Sequence, residues 1–131
     1  GLESTVHLLG VRRDMPRLMA SLDILVSTSF GEAFSNVLAE AMACGVPCVV
    51  NRSADPAGIV GTLGRTVELG ASSPAGEGVA DAIEEMLMVR KREGVVPQYQ
   101  CRKRIVENFS IHNVVSMYES SYTQLFSEYQ S

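Results

Sequence analysis

The stretch Thr28–Val50 reads TSFGEAFSNVLAEAMACGVPCVV, and it decides the fold. Its physical reading is strand end, loop, helix, glycine stop, proline, strand. Phe30 to Ser35 is the loop, and Ser35 and Asn36 are polar residues of the kind that open a helix. Asn36 to Cys44 reads as that helix, with Gly45 just past its end and Pro47 beyond it. Cys48-Val49-Val50 is then a strand of continuous apolar character, as strands of a buried parallel sheet are.

The same alternation continues outward on both sides. Upstream, Val6 to Leu9 reads as a short buried strand closed by Gly10. Asp14 can cap a helix that has Pro16 in its first turn. Leu18, Met19 and Leu22 share one face of it. Asp23 to Ser27 is the next strand. Downstream, Asn51 to Ser73 is rich in Gly, Ser and Pro, with short strand signals at Gly58-Ile59-Val60 and Arg65 to Glu68. Val79, Ile83, Met86 and Leu87 form a helical stripe within 77–90. A polar connection from Glu93 to Gln98 leads to a helix over Cys101 to Phe109. Ser110 can cap a last helix in which Val114, Tyr118, Tyr122, Leu125 and Tyr129 recur at spacings of three or four. Short βα units with apolar strands predict an α/β fold, an open parallel sheet with helices on both faces. Such sheets bind ligands outside the carboxyl ends of their strands, which directs attention to the loops Gly10–Arg13 and Ser27–Ser35.

Composition removes several function classes. The 131 residues fit one domain, and 46% hydrophobic with 20% charged residues is ordinary globular content. No window holds the roughly 18 consecutive apolar residues of a membrane span. Gly1 to Leu9 lack the basic start and apolar run of a signal peptide, lack an initiator Met, and read as the middle of a longer chain. A net charge of −4 and a pI near 5.1 argue against nucleic acid as a partner. Arg90-Lys91-Arg92 and Arg102-Lys103-Arg104 read as a solvated helix end and a solvated helix face. Three cysteines and no secretion signal indicate a reducing, cytoplasmic setting. Cys44 and Cys48 are four apart, form no CxxC pair, and read as small buried packing residues. His7 reads as a packed residue of an apolar strand and His112 as a surface residue.

The chemistry-bearing pattern lies in the quoted stretch. The first amides of the helix at Asn36 lack intrahelical partners and carry the positive end of its dipole, which suits a diphosphate. Glu32 sits in the loop before it. Glu40 lies four residues after Asn36 and hence on the same face. Carboxylates accept hydrogen bonds from sugar and ribose hydroxyls and repel a bare phosphate. The combination points to a ligand with phosphate and polyol parts. The bland alternative is that Glu40 serves a structural pairing and Glu32 is a solvated loop residue.

The stretch resembles the signature of the retaining group 1 (family 4) glycosyltransferases of the GT-B fold. That signature is Glu, seven residues, Glu, then Ala-Met-Ala-x-Gly-x-Pro-x-Val. Here it is Glu32, seven residues, Glu40, then Ala41-Met42-Ala43-Cys44-Gly45-Val46-Pro47-Cys48-Val49. Leu8 to Asp14, Leu18 to Ile24, the Phe109-Ser110 step and Tyr118 to Tyr122 are similar to the flanking family elements, with the likeness weakest over 51–100. The resemblance implies a Rossmann-like C-terminal domain whose N-terminal acceptor domain and first strands lie outside this chain. It implies that Glu32, the residue closest to the chemistry, contacts donor-sugar hydroxyls. It implies that Glu40 binds the nucleotide ribose. Gly31, Ala33 and the backbone of Phe34, Ser35, Asn36 and Val37 would line sugar and diphosphate. Gly10, Val11 and Arg12 would hold the base.

The implied activity is transfer of a sugar from a nucleotide-diphosphate donor, a UDP- or GDP-sugar, to an acceptor hydroxyl with retention. No cofactor and no metal are implied, in keeping with the lack of an Asp-x-Asp or a His/Cys ligand cluster in the sequence. The acceptor, a glycan, lipid or small molecule, would enter through the other domain, and peripheral association with the inner membrane face is an option for enzymes that build surface glycans. The isolated chain would be inactive. Two departures stand out. The family's diphosphate-gripping Arg and Lys would lie upstream of Gly1, and Ala54 and Gly58 stand where many relatives carry Gly and Glu. The spaced glycines Gly58, Gly61 and Gly64 lack the GxGxxG spacing and read as turns. Ser27 and Ser29 lack the GxSxG elbow of a hydrolase. A sugar-nucleotide epimerase or phosphorylase of the same fold, and a non-catalytic α/β interaction module, are the alternatives.

Overall fold

In the computed structural model, residues 1–55, 58–70, 76–93 and 98–129 are described. Helix α1 (Met15–Ala20) leads into strand β1 (Leu25–Ser27), and helix α2 (Asn36–Ala43) into strand β2 (Cys48–Asn51). Two single 3-10 turns, Arg52–Ala54 and Gly61–Leu63, precede strand β3 (Arg65–Val67). Three helices close the chain: α3 (Glu77–Glu93), α4 (Gln98–Phe109) and α5 (Ile111–Tyr129). The strands form a parallel sheet in the order β1-β2-β3, with Val49 opposite Val26 on one side and Arg65 on the other.

The central strand shows why this arrangement holds. Alternate residues of a strand face opposite sides. Cys48 and Val50 enter a cluster with Leu38 and Met42 of α2 and with Cys101 and Ile105 of α4. Val49 points the other way, onto Ala82 and Met86 of α3. Each fully buried aliphatic side chain contributes about 1.5–3 kcal/mol relative to exposure, so burial on both faces of β2 anchors the domain. The α/β class, the parallel sheet and the helices on both faces agree with the sequence reading. Arg65 on β3 also grips Glu85 on α3 through two charge-assisted bonds of 2.9 and 2.7 Å. The guanidinium lowers the Glu85 carboxyl and the carboxylate raises Arg65.

Several sequence expectations need correction. Val6 to Leu9 form no strand, and His7, expected to be packed there, is exposed with its neighbours. Among the described residues no strand lies beside β1 on that side of the sheet to receive them, and the Val6 amide turns back to the Leu2 carbonyl at 2.8 Å. Gly58-Ile59-Val60 is a bend. Its Ile59 and Val60 amides donate to the Asp55 carboxylate at 2.6 and 2.9 Å. Its Gly58 and Ile59 carbonyls accept from Arg104 at 2.5 and 2.7 Å. The groups a ladder would use are therefore already paired. On α3 the inward stripe takes Ala82 and leaves Leu87 exposed. Cys44 is only half-buried, with its thiol donating to the Pro16 carbonyl at 3.8 Å. Asp14 precedes α1 but makes no side-chain cap. Helix α4 begins at Gln98, three residues before the expected start, and buries Cys101 and Ile105. Of the expected 93–98 connection, residues 94–97 lie outside the described residues.

Helix α5 buries none of its residues. Tyr118, Tyr122, Leu125 and Tyr129 are exposed on it. His112 is exposed, as its place in the sequence indicated.

Candidate functional site at the start of α2

The site is built where β1 ends. The chain leaves Ser27, turns at Gly31 with φ +70°, and enters α2 through Ser35, whose backbone is extended (φ −91°, ψ 100°). A φ of that sign is cheap only for glycine. Ser35 is buried, yet its hydroxyl does not cap the helix, and no acidic residue lies in the first turn. The dipole end is thus left without an internal countercharge. It is also not roofed over, since Ala33, Phe34, Asn36 and Val37 are exposed around it. Leu38, Ala41 and Met42 turn inward and fix the helix to the core.

Glu32 is half-buried in the loop, and Glu40 is exposed on the outer face of α2. Neither carboxylate has a hydrogen-bond or ion-pair partner among the described residues. The structural pairing considered for Glu40 is therefore not made. Two unpaired acids and an uncapped helix start occupy one continuous segment, at the carboxyl end of a parallel strand. An anion suits the amides and hydroxyl donors suit the acids.

The second expected segment is not joined to the first. Gly10 has φ +63° and Val11 is fully exposed. The Arg12 guanidinium donates to both Asp14 oxygens, at 2.8 and 2.6 Å, and lowers the Asp14 carboxyl below the usual range. No hydrogen bond or ion pair among the described residues connects Gly10–Arg12 to the start of α2.

Sequence reasoning missed what supports the α2 loop. Phe34 packs its ring on Phe109 of α4, centroids 5.7 Å apart and tilted by 58°. Asn51, at the end of β2, is 2% exposed. Its amide nitrogen donates to the Ser29 carbonyl at 3.0 Å and to the Ser53 hydroxyl at 2.9 Å. Its amide oxygen accepts from the Leu69 backbone at 3.3 Å. A polar residue closing an otherwise apolar strand was the available signal. The two basic runs are largely solvated, with Lys91, Arg92, Arg102 and Lys103 exposed, but three of their arginines also have partners. Arg102 and Arg104 donate to backbone carbonyls of Ala43, Gly58 and Ile59, and Arg90 pairs with Asp23. No group of three or more His, Cys, Asp or Glu residues placed to hold a metal occurs among the described residues, and no helix there is long and apolar enough to cross a membrane.

A three-stranded parallel sheet with an open helix start at its carboxyl edge is the frame of a Rossmann-like α/β domain. Residues 1–88 match the family described as Glycosyl transferases group 1, and the chain belongs to that family. It is 32% identical over 123 residues to N-acetyl-alpha-D-glucosaminyl L-malate synthase of Bacillus anthracis. The match covers 92% of this chain and 31% of that protein, so the chain spans about a third of the length of this curated relative.

Proposed function

We propose that this chain is the donor-binding part of a retaining glycosyltransferase and holds a nucleotide-diphosphate sugar at the start of α2. The observation that carries the reading is the uncapped, open start of α2 with two partnerless carboxylates, Glu32 before it and Glu40 one turn inside. In this reading the diphosphate accepts from the backbone amides of Phe34 to Val37. Glu32 accepts from donor-sugar hydroxyls and Glu40 from the ribose. Gly10, Val11 and Arg12 close over the base through backbone groups.

The chemistry is a front-face displacement. The acceptor oxygen bonds to the anomeric carbon on the side from which the diphosphate leaves, and a phosphate oxygen takes the acceptor proton. The chain's task is to stabilise charge developing on the diphosphate and to orient the sugar. No metal is needed in this reading, because helix dipole and donors carry that charge. The alpha descriptor in the name of the Bacillus anthracis relative fits retention from an α-linked donor. A UDP- or GDP-sugar is the proposed donor. Acceptor binding and turnover are assigned to the protein of which this chain is the donor-binding part, and the chain alone binds without transferring sugar.

The test is a titration of the chain with UDP, GDP and ADP, followed by backbone amide shifts. Shifts concentrated at residues 32–40 and 10–12 are expected with at least one nucleotide. Silence there with all three, at millimolar concentration, would overturn the reading in favour of a non-catalytic interaction module. The exposed apolar stripe of α5, a helix with no buried residue, is what supports that second reading.

A further inference from the structure

We infer that Asn51 is a positioning residue for the sugar-contacting loop. The inference rests on the donor-binding reading above and adds how the loop that carries Glu32 is held. Asn51 lies at the carboxyl end of the central strand, from which its side chain reaches the exits of all three strands. It binds Ser29 after β1, Ser53 after β2 and Leu69 after β3, with bonds of 3.0, 2.9 and 3.3 Å. Both amide hydrogens and the amide oxygen are thereby used, inside a site that is 2% exposed. A buried primary amide is tolerated only when its polar atoms are paired, so the three loops have one mutual arrangement that satisfies it.

The bond to the Ser29 carbonyl matters for donor binding. It is the tether that fixes the loop between β1 and Gly31, at a point three residues before Glu32, against the strand that also sets the core. Glu40 needs no such tether, because α2 is anchored through Leu38, Ala41 and Met42. The two acids therefore depend on different supports. Loosening Asn51 should blur the grip on the sugar and leave the grip on the nucleotide intact. That division is a signature a purely structural residue would not give.

The experiment compares the chain with its Asn51→Asp and Asn51→Leu variants, and with Glu32→Gln as reference. Asn51→Asp keeps the acceptor for Leu69 and loses both donors. Asn51→Leu keeps the shape without burying a charge, which covers the case in which the aspartate variant fails to fold. Dissociation constants are measured for UDP and GDP and for UDP-glucose and GDP-mannose. The expected result is about a tenfold weaker binding of the nucleotide sugar, unchanged binding of the nucleoside diphosphate, and amide shifts over residues 29–33 before any ligand is added. Equal weakening of both ligands, or of neither, overturns the positioning role. If Glu32→Gln also fails to separate the two ligands, the assignment of Glu32 to the sugar falls, and this inference with it. A sugar-specific loss in Glu32→Gln that is absent from both Asn51 variants overturns the inference alone.

Discussion

The Arg104 guanidinium donates to the Ile59 carbonyl at 2.7 Å, across 45 residues of sequence. Together with its second bond to Gly58 and the Asp55 carboxylate on the following amides, it holds a bend that has no ladder of its own. Hydrogen bonds to a charged group contribute about 1.5–3 kcal/mol. Arg104→Ala is expected to lower the unfolding free energy by about that amount, read from the midpoint of a urea titration at constant slope. Arg104→Lys should recover only part of it, since an ammonium lacks the planar fork that serves two adjacent carbonyls.

Gly64 is fixed by a close approach and not by its backbone angles. A Cβ there would stand 2.1 Å from the Cys48 carbonyl oxygen and 2.4 Å from a Val60 methyl. Backbone cannot yield as a flexible side chain does. Gly64→Ala is expected to cost more than about 2 kcal/mol and to lower Tm by more than about 8 °C in a domain of this size. Gly70→Ala, where nothing lies within reach, should fall within about 0.5 kcal/mol of the parent.

Cys48 supplies a pH test. Burial, with smaller contributions from Cys101 and Asp55, pushes its thiol up from 9.0 to about 12. The folded state thus favours the neutral thiol more strongly than the unfolded chain does. Its contribution is complete below pH 9 and is lost progressively as pH rises from 9 toward 12. The differential slope approaches about 1.4 kcal/mol per pH unit. Urea midpoints of the parent should fall faster across that window than those of Cys48→Ala, which starts lower but lacks the titration. Parallel slopes would contradict the buried-thiol account.

The two site acids should separate by ligand. Glu40→Gln is expected to weaken a nucleoside diphosphate by about tenfold, or about 1.4 kcal/mol, through loss of a charge-assisted bond. Glu32→Gln should leave that ligand alone and weaken the nucleotide sugar to a similar degree. Because neither acid has a protein partner to lose, thermal stability should stay within about 0.5 kcal/mol in both. Calorimetric titration paired with a melting curve reads both quantities on one sample.

The sequence made the centre of this fold legible because three signals agreed there. Apolar run, glycine stop and proline placed α2 and β2 to within a residue at either end. The helix start was marked by the polar pair Ser35 and Asn36 ahead of the apolar run. Legibility failed where long-range partners decide the outcome. Val6 to Leu9 has strand composition but no neighbour to pair with. Ile59 and Val60 have strand composition but give their amides to Asp55. Arg102 and Arg104 look solvated in a charge run and act on carbonyls 45 to 59 residues distant. Asn51 carried a local sign, a polar end to an apolar strand, but its three partners are spread over 40 residues and no periodicity reveals them.

The inside-outside alternation of β2 has an evolutionary consequence. Adding or deleting one residue between Gly45 and Asn51 would turn Val49 toward α2 and send Cys48 and Val50 toward α3. The same half-turn would swing the Asn51 amide away from Ser29 and Leu69. An indel in this strand would thus spoil the core and the tie between the three loops at a stroke.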